Sequence, residues 1–201
     1  MAYYEEAARL NEETGDKKAQ ASTFVSIGNV HCVQSAFPRA LDYYFRALKI
    51  NEDIGNRKGS ANTCFSIGNV YYEQNDFARS LDYYFKALKV QEEMGNKYGI
   101  SITLQGIGNV YNKKQEYARS LEYNFKALKL ANEIGIKYIA AACAGNIGDV
   151  YFNMKNYGQS IDYSEQALRM AEEIGDKNQV AWALCQVGYA NLQLADSSPD
   201  R

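Results

Sequence analysis

Apolar and small residues recur at helical spacing along almost the whole chain. In one stretch they lie three and four positions apart, at Cys64, Ile67, Gly68 and Tyr71. The following stretch, from Phe77 to Glu93, has a second apolar stripe that consists of Leu81, Tyr84, Phe85 and Leu88. Spacing of this kind predicts amphipathic α-helices. Only the polar residues 74–76 separate the two stretches, and a connection this short predicts an antiparallel pair of helices.

This helix pair repeats with a period of 40 residues. The segments ARSLDYYFKALKV (78–90) and ARSLEYNFKALKL (118–130) agree at ten of thirteen positions, and PRALDYYFRALKI (38–50) and GQSIDYSEQALRM (158–170) keep the same register. Self-similarity at a fixed period is the signature of a stacked repeat array. We therefore predict one domain, residues 1–195, in which partial repeats 1–18 and 179–195 flank four full repeats, 19–58, 59–98, 99–138 and 139–178. Residues 196–201 are predicted to form a disordered tail.

Glycine occupies two fixed positions in the repeats. One set follows the second helix and is predicted to end it in the left-handed conformation: Gly15, Gly55, Gly95, Gly135 and Gly175. The other set lies inside the first helix: Gly28, Gly68, Gly108, Gly148 and Gly188. A glycine inside a helix costs about 1 kcal/mol relative to alanine. Its recurrence at one register predicts that two helices approach each other closely there.

Charge and composition exclude several classes of partner. The formal net charge is −2, which argues against a nucleic-acid surface because such a surface needs clustered lysine and arginine. No apolar run reaches the roughly 18 residues that a membrane-spanning helix requires, so no membrane protein is predicted. The acidic N-terminal sequence MAYYEEAARL lacks the apolar stretch of a signal peptide. Together these features predict a cytoplasmic protein.

Cysteine and histidine show no spacing typical of a metal or catalytic site. The four cysteines are Cys32, Cys64, Cys143 and Cys185. They contain no CxxC pair and are predicted to be reduced, small apolar residues within helices. The single histidine, His31, holds the position of Tyr71 in the next repeat and is interpreted as a residue at the edge of the core. We therefore predict that the protein is not an enzyme and uses no cofactor or metal.

The repeat pattern resembles the tetratricopeptide repeat in a long, 40-residue variety. The positions that match the family's apolar and small signature are Ile67, Gly68, Tyr71, Tyr84 and Ala87. The usual helix-ending proline is missing, and the usual tryptophan is replaced by Phe24, Cys64, Leu104, Ala144 and Leu184. The resemblance implies an all-α, right-handed superhelical solenoid of antiparallel helix pairs with a concave groove. It extends to Leu-Gly-Asn-repeat proteins and to bacterial signalling arrays.

An asparagine or aspartate follows the internal glycine in four repeats, at Asn29, Asn69, Asn109 and Asp149, which we call the asparagine row. In the family this stripe of the first helix lines the concave groove. Neighbouring helices lie about 8–10 Å apart and an extended peptide rises about 3.3 Å per residue, so about three residues of a bound segment would pass each member. Side-chain amides both donate and accept hydrogen bonds. The row is interpreted either as a grip on a partner's backbone or as structural bonds to neighbouring helices and water.

The remaining groove residues are assigned by their positions on the first helices: Asn62, Phe65, Tyr72, Gln105, Asn112, Asn146 and Phe152. Phe65, Tyr72 and Phe152 are candidate anchors for a partner, or alternatively aromatic residues packed between repeats. From the groove we predict a protein–protein interaction scaffold that binds a protein or peptide segment.

The last helix supports an alternative function. Residues 179–194 are as apolar as the interior helices, whereas an array normally ends in a polar capping helix. The alternative is a sensory or oligomerisation region of a larger signalling protein of bacterial type. Such a region would form a homo-oligomer through its C-terminal helix, with Trp182 and Tyr189 as candidate contact residues.

Overall fold

The computed structural model of the protein describes residues 2–196, apart from the side chains of Ala2 and Glu5. These residues form ten α-helices and no strand. The chain divides into two compact units, residues 1–96 and 97–201. The first unit contains α1 (Ala2–Glu13), α2 (Lys17–Val33), α3 (Phe37–Asp53), α4 (Arg57–Glu73) and α5 (Phe77–Glu93). The second unit contains α6 (Lys97–Lys113), α7 (Tyr117–Glu133), α8 (Lys137–Asn153), α9 (Tyr157–Ile174) and α10 (Lys177–Asp196).

Within each unit the helices form antiparallel pairs joined by short turns. In the first unit α2 pairs with α3 and α4 with α5, and α1 packs against α2. In the second unit α6 pairs with α7 and α8 with α9, and α10 packs against both α8 and α9. Each pair buries an isoleucine at the same register, and these are Ile27, Ile67, Ile107 and Ile147. The stacked helix pairs confirm the predicted all-α solenoid.

Two kinds of turn connect the helices. The glycines predicted to end the second helices have φ angles between +64° and +72°, as the left-handed conformation requires; they are Gly15, Gly55, Gly95, Gly135 and Gly175. The turns inside the helix pairs reach a similar φ, between 55° and 62°, without glycine, at Ser35, Asn75, Gln115 and Lys155. This second set is not apparent from the sequence, because these four residue types share no turn signature.

In the four complete helix pairs, the glycine inside the first helix makes room for a side chain of the second helix. A Cβ atom added at Gly28 would lie 2.5 Å from the Tyr44 ring, and one at Gly68 would lie 2.6 Å from the Tyr84 ring. Both distances are far shorter than a carbon–carbon contact at optimal separation, about 3.5–4.0 Å. Only glycine therefore admits the ring, and the predicted close approach of the helices is confirmed.

The buried face of α5 differs from the predicted apolar stripe. Phe85 is 38% exposed, whereas the polar residue Ser80 is completely buried. The Ser80 hydroxyl donates a hydrogen bond of 2.9 Å to the Gly68 carbonyl oxygen of the paired helix. Because this bond satisfies the hydroxyl, the serine can be buried at the helix contact.

The C-terminal helix ends one residue beyond the predicted domain boundary, and the four cysteines differ in exposure. Helix α10 extends to Asp196 and so includes the first residue of the predicted tail; residues 197–201 lie outside the described part of the chain. Cys64 and Cys143 are buried and Cys32 is half-buried, whereas Cys185 is exposed because its side of α10 has no further helix against it in residues 2–196. None of the described helices is both long and apolar enough to cross a membrane.

Candidate groove in the two units

In the first unit, the face of α2 and α4 that carries Asn29 and Asn69 forms an open cleft of about 400 Å³. The cleft is also lined by Cys32, Tyr44 and Glu73, among others. Both asparagine side chains are exposed. The first two members of the asparagine row thus lie on one accessible concavity that spans two consecutive repeats.

The side chains of Asn29 and Asn69 are held by buried tyrosines of the second helices. The Tyr44 hydroxyl donates to Asn29 Oδ1, and the Tyr84 hydroxyl donates to Asn69 Oδ1, each at 2.6 Å. Burial raises the pKa of both tyrosines, so the hydroxyls stay protonated. The asparagine oxygens therefore form structural bonds to the neighbouring helix, as the second interpretation of the asparagine row requires. The Nδ2 groups make no hydrogen bond within the described residues and stay available as donors.

The sequence-based groove omits these tyrosines, although a signal for them exists. Tyr44 and Tyr84 each lie 15 positions after their asparagine, and in both repeats the residue before the asparagine is the glycine that admits the ring. A glycine-asparagine pair with a tyrosine at this fixed spacing could have indicated the contact across the turn.

The second unit lacks the tyrosines. Asn124 and Ser164 occupy the corresponding positions of α7 and α9. A Cβ atom at Gly148 would lie 2.7 Å from Ser164 Oγ and 3.3 Å from the Ser164 backbone nitrogen, so α9 approaches α8 into the space that a ring would occupy. Neither Asn109 nor Asp149 accepts a side-chain hydrogen bond within residues 97–196.

Asp149 is a poorly solvated carboxyl group. Burial raises its pKa to about 6, and the positive charge of Lys113 on α6 offsets this only in part. One helical turn earlier on α8, the Asn146 Nδ2 group is buried without a hydrogen-bond partner. Residues three apart on a helix are neighbours on its surface. Asn146 and Asp149 therefore place an unpaired donor and an unpaired acceptor side by side.

The three predicted aromatic anchors are half-buried and contact other rings. The ring centroid of Phe65 lies 5.5 Å from that of Tyr84, and Phe152 lies 5.6 Å from Tyr157. Tyr72 lies 6.3 Å from the ring of the first residue of α5. Each ring packs inside its own unit and exposes the rest of its surface, which fits both interpretations of these residues.

The other predicted groove residues have mixed environments. Asn62 is exposed and lines a second cleft of the first unit, with a volume of about 370 Å³. In the second unit Gln105 is half-buried, and Asn112 Oδ1 accepts a 3.0 Å hydrogen bond from Asn153. His31 is 7% exposed and stacks on a tyrosine of α3 with ring centroids 5.6 Å apart, as a residue at the core edge does.

The two candidates for self-association differ from each other. The Trp182 ring packs on α8, where a Cβ atom at Gly145 would lie 2.4 Å from the indole, and the residue is 37% exposed. Tyr189 is 60% exposed. Much of Trp182 is therefore used inside the second unit, whereas Tyr189 is accessible. In residues 2–196 no three histidine, cysteine or acidic side chains form a group that could hold a metal ion.

The sequence matches the tetratricopeptide repeat family over residues 19–93 and 139–199, and no individual curated protein matches it. Three solved structures illustrate the fold similarity. BtubC from P. vanneervenii has a TM-score of 0.83 and 15% identity, over 96% of this chain and 80% of that chain. A Rap protein complexed with Competence and Sporulation Factor has a TM-score of 0.77 and 19% identity, over 90% and 50%. A signal transduction ATPase with numerous domains and a tetratricopeptide repeat sensor, from Pyrococcus horikoshii, has a TM-score of 0.79 and 19% identity, over 93% and 30%.

These similarities differ in what they establish. At 20% identity or less the three structures establish the fold alone, and this chain spans half or less of the Rap protein and the ATPase. The family match covers more than half of the sequence and agrees with the helix pairs, the helix-ending glycines and the 40-residue period. The chain belongs to the tetratricopeptide repeat family.

Proposed function

We propose that the protein is an interaction scaffold whose asparagine row holds the backbone of an extended partner segment. The observation that supports this most strongly is that the oxygen and the nitrogen of the Asn29 and Asn69 amide groups have different roles. Each Oδ1 is bound to a buried tyrosine, which fixes the side chain, while the Nδ2 donor lies on an exposed residue beside an open cleft. A fixed donor loses little conformational freedom when it binds a carbonyl group.

The second unit would contribute different chemistry to the same function. Asn146 has an unpaired buried donor, and Asp149, once ionised, only accepts hydrogen bonds. Asp149 can accept a hydrogen bond from an N–H group of a bound backbone, whereas the buried Asn146 Nδ2 group can donate to a partner only after its side chain moves. Among the structures of similar fold, one Rap protein is complexed with Competence and Sporulation Factor, which supports binding of a partner by an array of this kind.

The test is a selection of peptide segments from a displayed library on the immobilised chain. Titration of a selected segment against variants then follows. Asn69→Ala removes one donor of the row, and Asn132→Ala changes an exposed asparagine of α7 outside the row. We expect Asn69→Ala to weaken the complex about tenfold, which corresponds to 1.4 kcal/mol, and Asn132→Ala to leave the affinity unchanged. Equal affinities of all three proteins, or a library from which nothing is enriched, would contradict the proposal.

A second candidate function is the sensory or self-associating region of a larger signalling protein. Exposed apolar side chains on α10 favour it: Leu184 is 54% exposed and Leu192 58% exposed. The ATPase of similar fold has a tetratricopeptide repeat sensor and is much longer than this chain. Self-association of the isolated chain that increases with its concentration is the expected result, and a monomer at every concentration would refute this part of the candidate function.

A further inference from the structure

Helix α10 exposes a face that the other first helices bury. Leu184 is 54% exposed, whereas the residues at its register in α2, α4, α6 and α8 are at most 8% exposed. A Cβ atom at Gly188 would meet nothing within 4 Å, whereas Gly28 and Gly68 each face a tyrosine ring. In those repeats the ring belongs to the second helix of the same pair. Within residues 2–196, α10 has no such helix against it.

Helix α1 has the sequence of a second helix. The stretch YYEEAARLNE (3–12) aligns with YYFRALKINE (43–52) of α3. Tyr3 and Tyr4 therefore hold the register of the interior tyrosine pairs, but Tyr3 is 93% exposed and Tyr4 is 43% exposed, whereas Tyr44 is 2% exposed. Helix α1 packs on α2 as α3 packs on α4. Helix α1 starts five positions later in the register than α3 does, and among the described residues no first helix precedes it.

We propose that α1 of a second copy of this chain covers α10, so that the two helices form a composite repeat across two molecules. In this register Tyr4 of the second copy packs on Gly188, as tyrosine packs on glycine within α2 and α3. Tyr3 of the second copy meets Leu184. The corresponding contact within a repeat joins Phe24 to the α3 tyrosine, with ring centroids 5.9 Å apart.

Charge pairing supports the same register. Within a repeat, the first residue of the first helix forms an ion pair with a glutamate 36 positions later, as Lys137 does with Glu173 at 2.8 Å; two other repeats have the equivalent pair. Lys177 begins α10 and has no ion pair among the described residues. Glu13, which ends α1, holds the register of the glutamates; in a single copy it forms an ion pair with Arg9 of the same helix at 2.6 Å, on the exposed surface. The composite repeat therefore pairs Lys177 with Glu13 of the second copy.

The proposed contact joins two different surfaces of the chain. When copies join, one α1 stays uncovered at one end of the assembly and one α10 at the other end. The assembly therefore grows head to tail until it closes into a ring, or it continues as an open chain. The proposal rests on the self-association of the second candidate function and gives it a defined interface. It is independent of whether the groove binds a partner segment.

Sedimentation of the chain over a series of concentrations tests the proposal with three variants. Tyr4→Ala removes the ring, and Gly188→Ala places a Cβ atom where the ring must pack, although that Cβ meets nothing in a single copy. Gly158→Ala is the matched control, because its Cβ also meets nothing within 4 Å. We expect the wild type and Gly158→Ala to exceed 22.6 kDa as the concentration rises, and Tyr4→Ala and Gly188→Ala to stay monomeric.

A mixture of the two interface variants gives the sharpest result. Tyr4→Ala keeps an intact α10, and Gly188→Ala keeps an intact α1. The mixture is therefore expected to form a 1:1 dimer and nothing larger. If either variant loses helical circular dichroism, Lys177→Glu and Glu13→Lys replace the pair: each alone should weaken assembly, and the double change should restore it.

Two results would overturn the proposal, and they are distinguishable. A wild-type chain that stays monomeric at every concentration refutes both the composite repeat and self-association as a function. A chain whose self-association is undiminished by Tyr4→Ala and by Gly188→Ala retains self-association but refutes this interface. Neither result bears on the groove, which is tested by binding of a peptide segment.

Discussion

The substitution Asp149→Asn should stabilise the protein at neutral pH but not in acid. The folded structure raises the pKa of Asp149 from 3.8 to about 6, chiefly by burial. One pKa unit corresponds to about 1.4 kcal/mol, so the difference amounts to about 3 kcal/mol. Because the folded-state pKa is the higher one, the protonated carboxyl group is tolerated below pH 4. Its ionisation destabilises the fold progressively as the pH rises through 6.

Urea unfolding at several pH values measures this effect. At pH 4 the wild type and Asp149→Asn should have nearly equal free energies of unfolding, since a neutral carboxyl group and an amide are similar in size. At pH 7.5 the variant should be more stable by about 2–3 kcal/mol. Asp162→Asn, which changes an exposed aspartate of α9, is the control and should not reproduce the difference.

An advantage of Asp149→Asn that is the same at both pH values would contradict this prediction. A pH-independent gain would mean that the amide makes a bond of its own and that burial of the charge is unimportant. A wild type that is more stable than the variant at pH 7.5 would mean that Lys113 stabilises the carboxylate more than burial destabilises it.

Two further predictions concern the packing and the turns. Gly68→Ala should lower the free energy of unfolding by about 1–3 kcal/mol, because its Cβ would lie 2.6 Å from the Tyr84 ring. Gly158→Ala, which has open space around it, should raise that free energy by up to about 1 kcal/mol. A loss of equal size in both variants would show that the contact with the tyrosine ring is not the cause. Lys155→Gly should stabilise the chain by up to about 1 kcal/mol, because Lys155 has φ 61° and only glycine adopts this conformation without strain. A thermal midpoint that falls instead would show that the lysine side chain compensates for its backbone.

The fold is largely predictable from the sequence because its main constraints are local. A glycine such as Gly95 ends a helix through its own backbone angle, and the apolar spacing around Ile67 fixes which face is buried. The helix-ending glycine and the apolar spacing then recur at the same register in every repeat. Gln115 and Lys155 are different, since their left-handed conformation is imposed by the short turn between two packed helices and not by their own chemistry.

The groove is less predictable because its properties depend on contacts across helices. The sequence shows that Gly68 and Asn69 recur at a fixed position in the repeats. The packing of α4 against α5 determines that the Tyr84 ring lies against Gly68 and that its hydroxyl donates to Asn69. The same applies to Asp149: its replacement of asparagine is visible in the sequence, whereas its burial, and hence its raised pKa, depends on how the neighbouring helices pack around it.

A comparison of Asn69→Asp with Tyr84→Phe, titrated with a selected peptide segment, tests the role of the asparagine row most directly. Asn69→Asp keeps an oxygen that accepts from the Tyr84 hydroxyl but removes the amide donor, whereas Tyr84→Phe removes the structural bond and leaves the donor. If the row holds the partner's backbone, Asn69→Asp weakens binding about tenfold, and Tyr84→Phe weakens it less, because the donor remains but is no longer fixed by the tyrosine. If the asparagines are only structural, Asn69→Asp binds like the wild type, and that result would contradict the proposed function.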